Sequence, residues 1–208
     1  PRSTLFPYTT LFRSAKTLFV TQQLSVDPQT VIYRDIKEME AALREKQVEM
    51  ISLIAAEYFA LQHLLNPDSF IFPVTNGQMT YEYVLLVAQK SLITTIQDLQ
   101  GKTLKFPQHS QSSLCIPWLE LELANAGLPA AENFFKHLMP AENISGAVLP
   151  VFFKKADACL VTRKAFGIMA ELNPQISRQL RILSVSPKLV PNFMAFRKDF
   201  HNEIKNII

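Results

Sequence analysis

The sequence predicts an α/β fold, and three observations carry that prediction. Apolar stretches of strand length alternate with stretches of helical periodicity along most of the 208 residues. A short strand after Asp98-Leu-Gln-Gly101 delivers a hydroxyl-rich segment, Ser110-Gln-Ser-Ser113, to a helix start. Two distant stretches, Arg44–Tyr58 and Phe153–Arg163, follow the same order of helix end, small or branched residue, acid, apolar strand and polar terminus.

Taken in order, Ile32, Ile36, Met39 and Leu43 fall at helical spacing, with acids early and bases late, and predict a helix over Thr30–Lys46. Val48–Ala55 reads as a buried parallel strand. Tyr58–Leu65 is a short helix that ends before Asn66-Pro67. Strands at Phe70–Val74 and Tyr81–Gln89 flank the turn-prone Thr75-Asn-Gly-Gln78. Thr95–Leu99 is a helical turn and Thr103–Phe106 a strand. Trp118, Leu121, Leu123 and Ala124 belong to a helix stopped by Gly127 and Pro129. Ile144–Lys155, Ala158–Val161 and Lys164–Leu172 follow as helix, strand and helix, then Leu180–Ser184 as a strand and Asp199–Ile208 as a helix.

Composition excludes several classes. Thr4-Leu-Phe-Pro-Tyr-Thr-Thr-Leu-Phe-Arg-Ser14 resembles the translation of a sequencing adapter, so residues 1–14 are set apart as artefactual and the natural N-terminus is expected to be missing. Without Arg2 and Arg13 the formal charge falls from +3 to +1, and no basic patch calls for nucleic acid. The longest apolar runs, Met50–Ala56 and Val84–Ala88, are strand-sized and do not span a membrane. Cys115 and Cys159 read as small buried residues, with a bridge between them left open. His63, His109, His137 and His201 lie far apart with no partner at ligand spacing, so no metal is assigned. No cofactor is called for.

Two readings of the serine segment stand side by side. The first N–H groups of a helix lack internal partners and sit at the positive end of its dipole, so Ser110, Gln111, Ser112 and Ser113 can present amide and hydroxyl donors to an oxyanion. Alternatively a serine simply caps the helix. Ligands in open α/β sheets bind beyond the carboxyl ends of strands, and the repeated stretch then points to Glu57 and Tyr58 on one side and Thr162 and Arg163 on the other. Any helix-to-strand joint shares that order, which is the competing account.

From Thr17 to the C-terminus the chain resembles the substrate-binding proteins of phosphate, phosphite and phosphonate ABC importers, the PhnD-like branch of the periplasmic binding proteins. The resemblance rests on the run from Asp98 through Pro107 and Ser110–Ser113 to Val148–Val161. It implies a two-lobed type II periplasmic-binding-protein-like fold with two crossing strands. Lobe one would hold residues 15–80 and 197–208, incomplete because the opening strand and helix are lacking, and lobe two residues 86–190. The hinge would fall near 81–85 and 191–196. The family's phosphonate-holding serine and threonine run matches Ser110–Ser113, and its oxyanion-binding tyrosines suggest Tyr58, Tyr81 and Tyr83. Glu57 would meet an amino group or a protonated oxyanion, and Arg163 an anion or solvent.

The implied function is capture of a small phosphorus oxyanion in the cleft between lobes, by a monomeric periplasmic protein or lipoprotein that delivers it to a membrane permease. A ligand-sensing domain of a receptor or transcription regulator is the alternative. An enzyme reading would use Cys115 near a helix start with His109 close in sequence, but no third orienting group is apparent and apolar residues surround the cysteine.

Overall fold

A computed structural model describes residues 29–74, 77–108 and 110–200, with only the backbone of Ser110. The adapter-like segment, His109 and most of the helix expected at Asp199–Ile208 lie outside the described residues. The chain forms two compact units. Unit 1 takes the described residues up to Gly77 and those from Asn192, and unit 2 takes Gln78–Pro191.

Among the described residues unit 1 begins with α1 (Ile36–Arg44), where Asp35 accepts hydrogen bonds from the N–H groups of Lys37 and Glu38. That cap starts the helix several residues later than apolar spacing alone predicts. Met39, Ala42 and Leu43 form its buried stripe. The strand β1 (Met50–Ile54) runs without a loop into α2 (Ala55–Leu61), followed by a 3-10 turn at Gln62–Leu64 and strand β2 (Leu65–Ile71). The last strand among the described residues, β8 (Asn192–Arg197), lies between β1 and β2 and is antiparallel to both.

The parallel strand expected at Val48–Ala55 is therefore corrected. It pairs antiparallel, and its burial alternates, with Ile51 and Leu53 inward, because one face packs on the small core around Leu43, Leu61 and Leu65. The helical run ends at Leu64, before Asn66-Pro67 as expected, and these two residues lie inside β2. The register there shifts between Leu65 and Phe70, so the missing N–H of Pro67 costs no regular ladder bond.

Unit 2 is built on a five-stranded mixed sheet in the order β5-β4-β6-β3-β7. Its strands are β3 (Tyr83–Ala88), β4 (Thr103–Pro107), β5 (His137–Ala141), β6 (Ala158–Thr162) and β7 (Leu180–Val185). β4 is parallel to β5 and β6, whereas β3 is antiparallel to β6 and β7. The segments read as crossings at 81–85 and 191–196 overlap strands β3 and β8, and the chain passes between units at Gly77–Gln78 and Pro191–Asn192.

β3 and β6 read as unbroken apolar runs because both faces are covered. Tyr83, Leu85 and Val87 join one core with Trp118 and Leu119, while Val84 and Leu86 join another with Val148 and Val151. Leu85 is 0% exposed, and truncation of such a side chain costs about 2–5 kcal/mol. The covering helices are α3 (Cys115–Asn125), α4 (Ala131–Phe134), α5 (Ile144–Phe152), α6 (Arg163–Leu172) and α7 (Pro174–Gln179). Gly127 ends α3 at φ +71, with Leu128 N–H returning to the Leu123 carbonyl. β5 carries no apolar alternation to announce it, being an exposed outer strand that contains Pro140.

The repeated stretch is real at the level of elements. In both copies an Asx residue caps a helix, Asp35 in one and Asn143 in the other, with φ and ψ of −153° and 174° against −151° and 173°. Each helix then ends two residues before a lysine with φ 59°, Lys46 or Lys154. A five-residue strand follows, entering the next helix directly at Ala55 or Arg163.

Candidate functional site

β4, β5 and β6 are parallel, so their carboxyl ends share one edge of the unit 2 sheet. Each is followed by a helix that starts there: β4 by the serine segment and α3, β5 by α5 behind the cap Asn143, and β6 by α6 behind the cap Thr162. Three helix starts with their positive dipole ends therefore lie along one edge, although Asn143 and Thr162 already take the Gly146 and Ala165 N–H groups and Glu82 takes that of Arg163. Gln108 N–H donates to the Ala141 carbonyl and ties the serine segment to the end of β5.

The serine segment is not the cap of α3. Ser110–Ser112 form a 3-10 turn, and Leu114 occupies the cap position without a side-chain hydrogen bond. Pro117 lies in the first helical turn, where its missing N–H breaks no bond. Ser112 is buried and hydrogen-bonded to the Cys115 thiol, the exposed Gln111 turns its carbonyl inward, and the Ser113 hydroxyl donates to the Pro191 carbonyl at 3.1 Å.

Tyr83 occupies the start of β3, opposite Thr162 in register. Its side chain is 0% exposed and its hydroxyl donates to the Gln111 carbonyl at 2.8 Å. Burial pushes the phenol well above its ordinary range, with the neighbouring Cys115 adding to that and a backbone hydrogen bond from Leu114 acting against it. Tyr81 makes an isolated two-way bridge with Leu189, and its half-buried ring packs on the core that holds Tyr83.

Thr162 accepts the Ala165 N–H at 3.2 Å, the usual work of a helix cap. Arg163 is half exposed and paired with Glu82, Nε to Oε2 at 3.3 Å, while its N–H donates to the Glu82 carbonyl at 2.8 Å. Glu82 and Asn143 escaped the sequence reading. Glu82 becomes visible only once the register of β3 against β6 is known, whereas an Asn before an apolar helix at Ile144 was a local signal for a cap.

In unit 1, Glu57 accepts the Ile54 N–H at 2.9 Å through Oε2 and so closes the start of its own helix. Tyr58 is half buried, edge-on to Phe70 and Phe193 at centroid distances of 5.6 and 5.3 Å. Asp157 sits at the other end of β6, where it accepts the Thr103 N–H at 2.9 Å. Cys115 and Cys159 are both free and buried. Burial pushes the Cys115 thiol up to about 12, against the pull of its Ser112 hydrogen bond, which is the opposite of an activated nucleophile. Among the described residues no group of histidine, cysteine and carboxylate side chains can hold a metal, and no helix is long and apolar enough to cross a membrane.

An antiparallel sheet in one unit and a mixed sheet in the other, with helices on them, fit the class of the type II periplasmic binding proteins, and solved structures of that fold match the chain. XAC2383 from Xanthomonas citri, bound to chloride, matches with TM-score 0.68 and 15% identity over 95% of this chain and 73% of its own. PhnD1 from Prochlorococcus marinus, in complex with methylphosphonate, matches with TM-score 0.56 and 15% identity over 92% and 73%. The binding-protein component of an ABC phosphonate transporter from Pseudomonas aeruginosa matches with TM-score 0.56 and 18% identity over 92% and 64%. No match to a curated protein was found. The sequence profile described as "ABC transporter, phosphonate, periplasmic substrate-binding protein" matches residues 17–208, and the chain belongs to that family. It is thus a solute-binding protein of an extracytoplasmic family of transport components rather than of a family of enzymes.

Proposed function

We propose that this protein captures a small phosphorus oxyanion, a phosphonate, phosphite or phosphate, and hands it as a monomer to the membrane permease of an ABC importer. The observation that carries the proposal is the shared edge of unit 2, where three parallel strands each end at a helix start and the first of those starts is the serine segment. In this reading the backbone of residues 110–113 supplies the main donors, the Ser112 and Ser113 hydroxyls add to them by turning from the Cys115 thiol and the Pro191 carbonyl, and Tyr81 and Arg163 border the site. Glu82 holds Arg163 in place, so the cation is oriented before ligand arrives. The chain crossings at Gly77–Gln78 and Pro191–Asn192 act as the hinge.

Calorimetry with methylphosphonate, phosphite and phosphate, set against sulfonates, amino acids and sugars, tests the reading. Tight binding confined to an amino acid or a sugar overturns it. Within the site, changing Ser112 and Ser113 together to Ala removes two hydroxyls and leaves the amides, so affinity should fall by roughly 1–3 kcal/mol without being abolished. If the hydroxyls only brace the loop, the loss appears as stability with affinity unchanged, and the ligand is then held by backbone alone.

A further inference from the structure

We propose that Tyr83 is a positioning residue for oxyanion capture: its buried hydroxyl fixes the backbone of the serine segment, so that the amides stand ready for ligand without being ordered by it. The inference rests on the reading of Ser110–Ser113 as the oxyanion segment.

The side chain is 0% exposed, so its hydroxyl cannot meet a solute while the core is closed. It donates instead to the Gln111 carbonyl at 2.8 Å. The phenol therefore fixes the backbone immediately before Ser112 and Ser113. The brace is itself anchored without help from the segment. The N–H of Tyr83 donates to the Ser186 hydroxyl at 2.8 Å, its carbonyl accepts the Ser186 N–H at 2.9 Å, and its strand lies between β6 and β7 in the sheet. A loop fixed in this way has already lost the conformational freedom that a mobile loop surrenders on binding, which raises affinity without any contact to the ligand.

The test uses the full chain, with methylphosphonate and inorganic phosphate as probes. Tyr83→Phe keeps the ring in the core and removes only the hydroxyl, and it should weaken binding by about five- to twentyfold. Asp157→Ala, which breaks the bond to Thr103 at the other end of β6, serves as the comparison and should lower the melting temperature with affinity unchanged. Adding the Ser112 and Ser113 double change to Tyr83→Phe should cost less than the double change costs alone, because both act on one segment. Wild-type affinity in Tyr83→Phe, an equal affinity loss in Asp157→Ala, or strict additivity overturns the inference.

If the wild-type protein binds neither probe, the oxyanion reading is what fails. Amide exchange then decides the brace separately: faster exchange at Ser112 and Ser113 in Tyr83→Phe supports it, and unchanged exchange overturns it. Should Tyr83→Phe not fold, ζ-carbon-labelled tyrosine in the wild-type chain gives the second measurement. In mixed light and heavy water the Tyr83 signal should report a slowly exchanging hydroxyl already in the ligand-free protein and remain so with methylphosphonate bound; fast hydroxyl exchange that slows only when methylphosphonate is added overturns the proposal.

Discussion

Asp98 collects four hydrogen bonds on one carboxylate oxygen, from the N–H groups of Thr94 and Thr95 at 2.8 Å each and from their hydroxyls at 3.1 and 3.0 Å. These donors favour the charged form and hold the carboxyl down at about 2. The folded state thus binds fewer protons than the unfolded chain, whose aspartates titrate near ~3.9. The stabilisation is complete above about pH 4 and is lost as the pH falls toward about 2. Asp199, held down at about 2 by Lys46 and Arg197, works in the same window. Melting temperature should therefore drop steeply between these limits, and Asp98→Asn should flatten part of the slope; a variant with an unaltered acid limb would dismiss Asp98 as a source. At this scale the sequence was legible where chemistry is local. A serine run before a helix announces itself, as does an Asn at a helix start. Tyr83 did not, because alternation gives the face on which a tyrosine lies but not what folds over its hydroxyl. Glu82 and Arg163 are 81 positions apart and meet only through strand register.

At the scale of elements, the two copies of helix, lysine, strand and helix agree residue for residue. Asp35, Lys46, Met50 and Ile54 are answered 108 positions later by Asn143, Lys154, Ala158 and Thr162. The lysine in each copy takes the left-handed conformation that lets the last helical carbonyls find partners, as Lys154 N–H does with the Val151 carbonyl at 3.1 Å. A side chain at that φ is strained and glycine is not, so Lys154→Gly should raise stability by about 0.5–1 kcal/mol after allowance for the freer unfolded chain. Urea denaturation measures this, and a destabilised variant would show that the Lys154 side chain contributes something the backbone does not explain. The order of the copied elements was visible in the sequence. Their pairing was not, since the partner of β1 is the distant β8, and β5 offered too little apolar patterning to be seen at all.

Over the whole molecule the units differ in how the chain supplies them. Unit 2 is one uninterrupted run, Gln78–Pro191, with an apolar core on each face of its sheet. Residues 78–191 expressed alone should fold cooperatively and show a single thermal transition with dispersed amide resonances. A chain without cooperative melting would mean that unit 2 depends on the rest of the protein. Unit 1 has no such independence. Among the described residues β1 and β2 do not pair with each other but only with β8, which is completed after all of unit 2.

That middle strand sets an order of events on the ribosome. β1 and β2 emerge early with exposed pairing edges and wait through the synthesis of every residue from Gln78 to Pro191 before Asn192–Arg197 arrives to join them. Until then neither has the strand it pairs with among the described residues. A nascent chain of this topology therefore stands to gain from a chaperone that covers β1 and β2, and it would be most easily lost to aggregation in the interval before β8 is made.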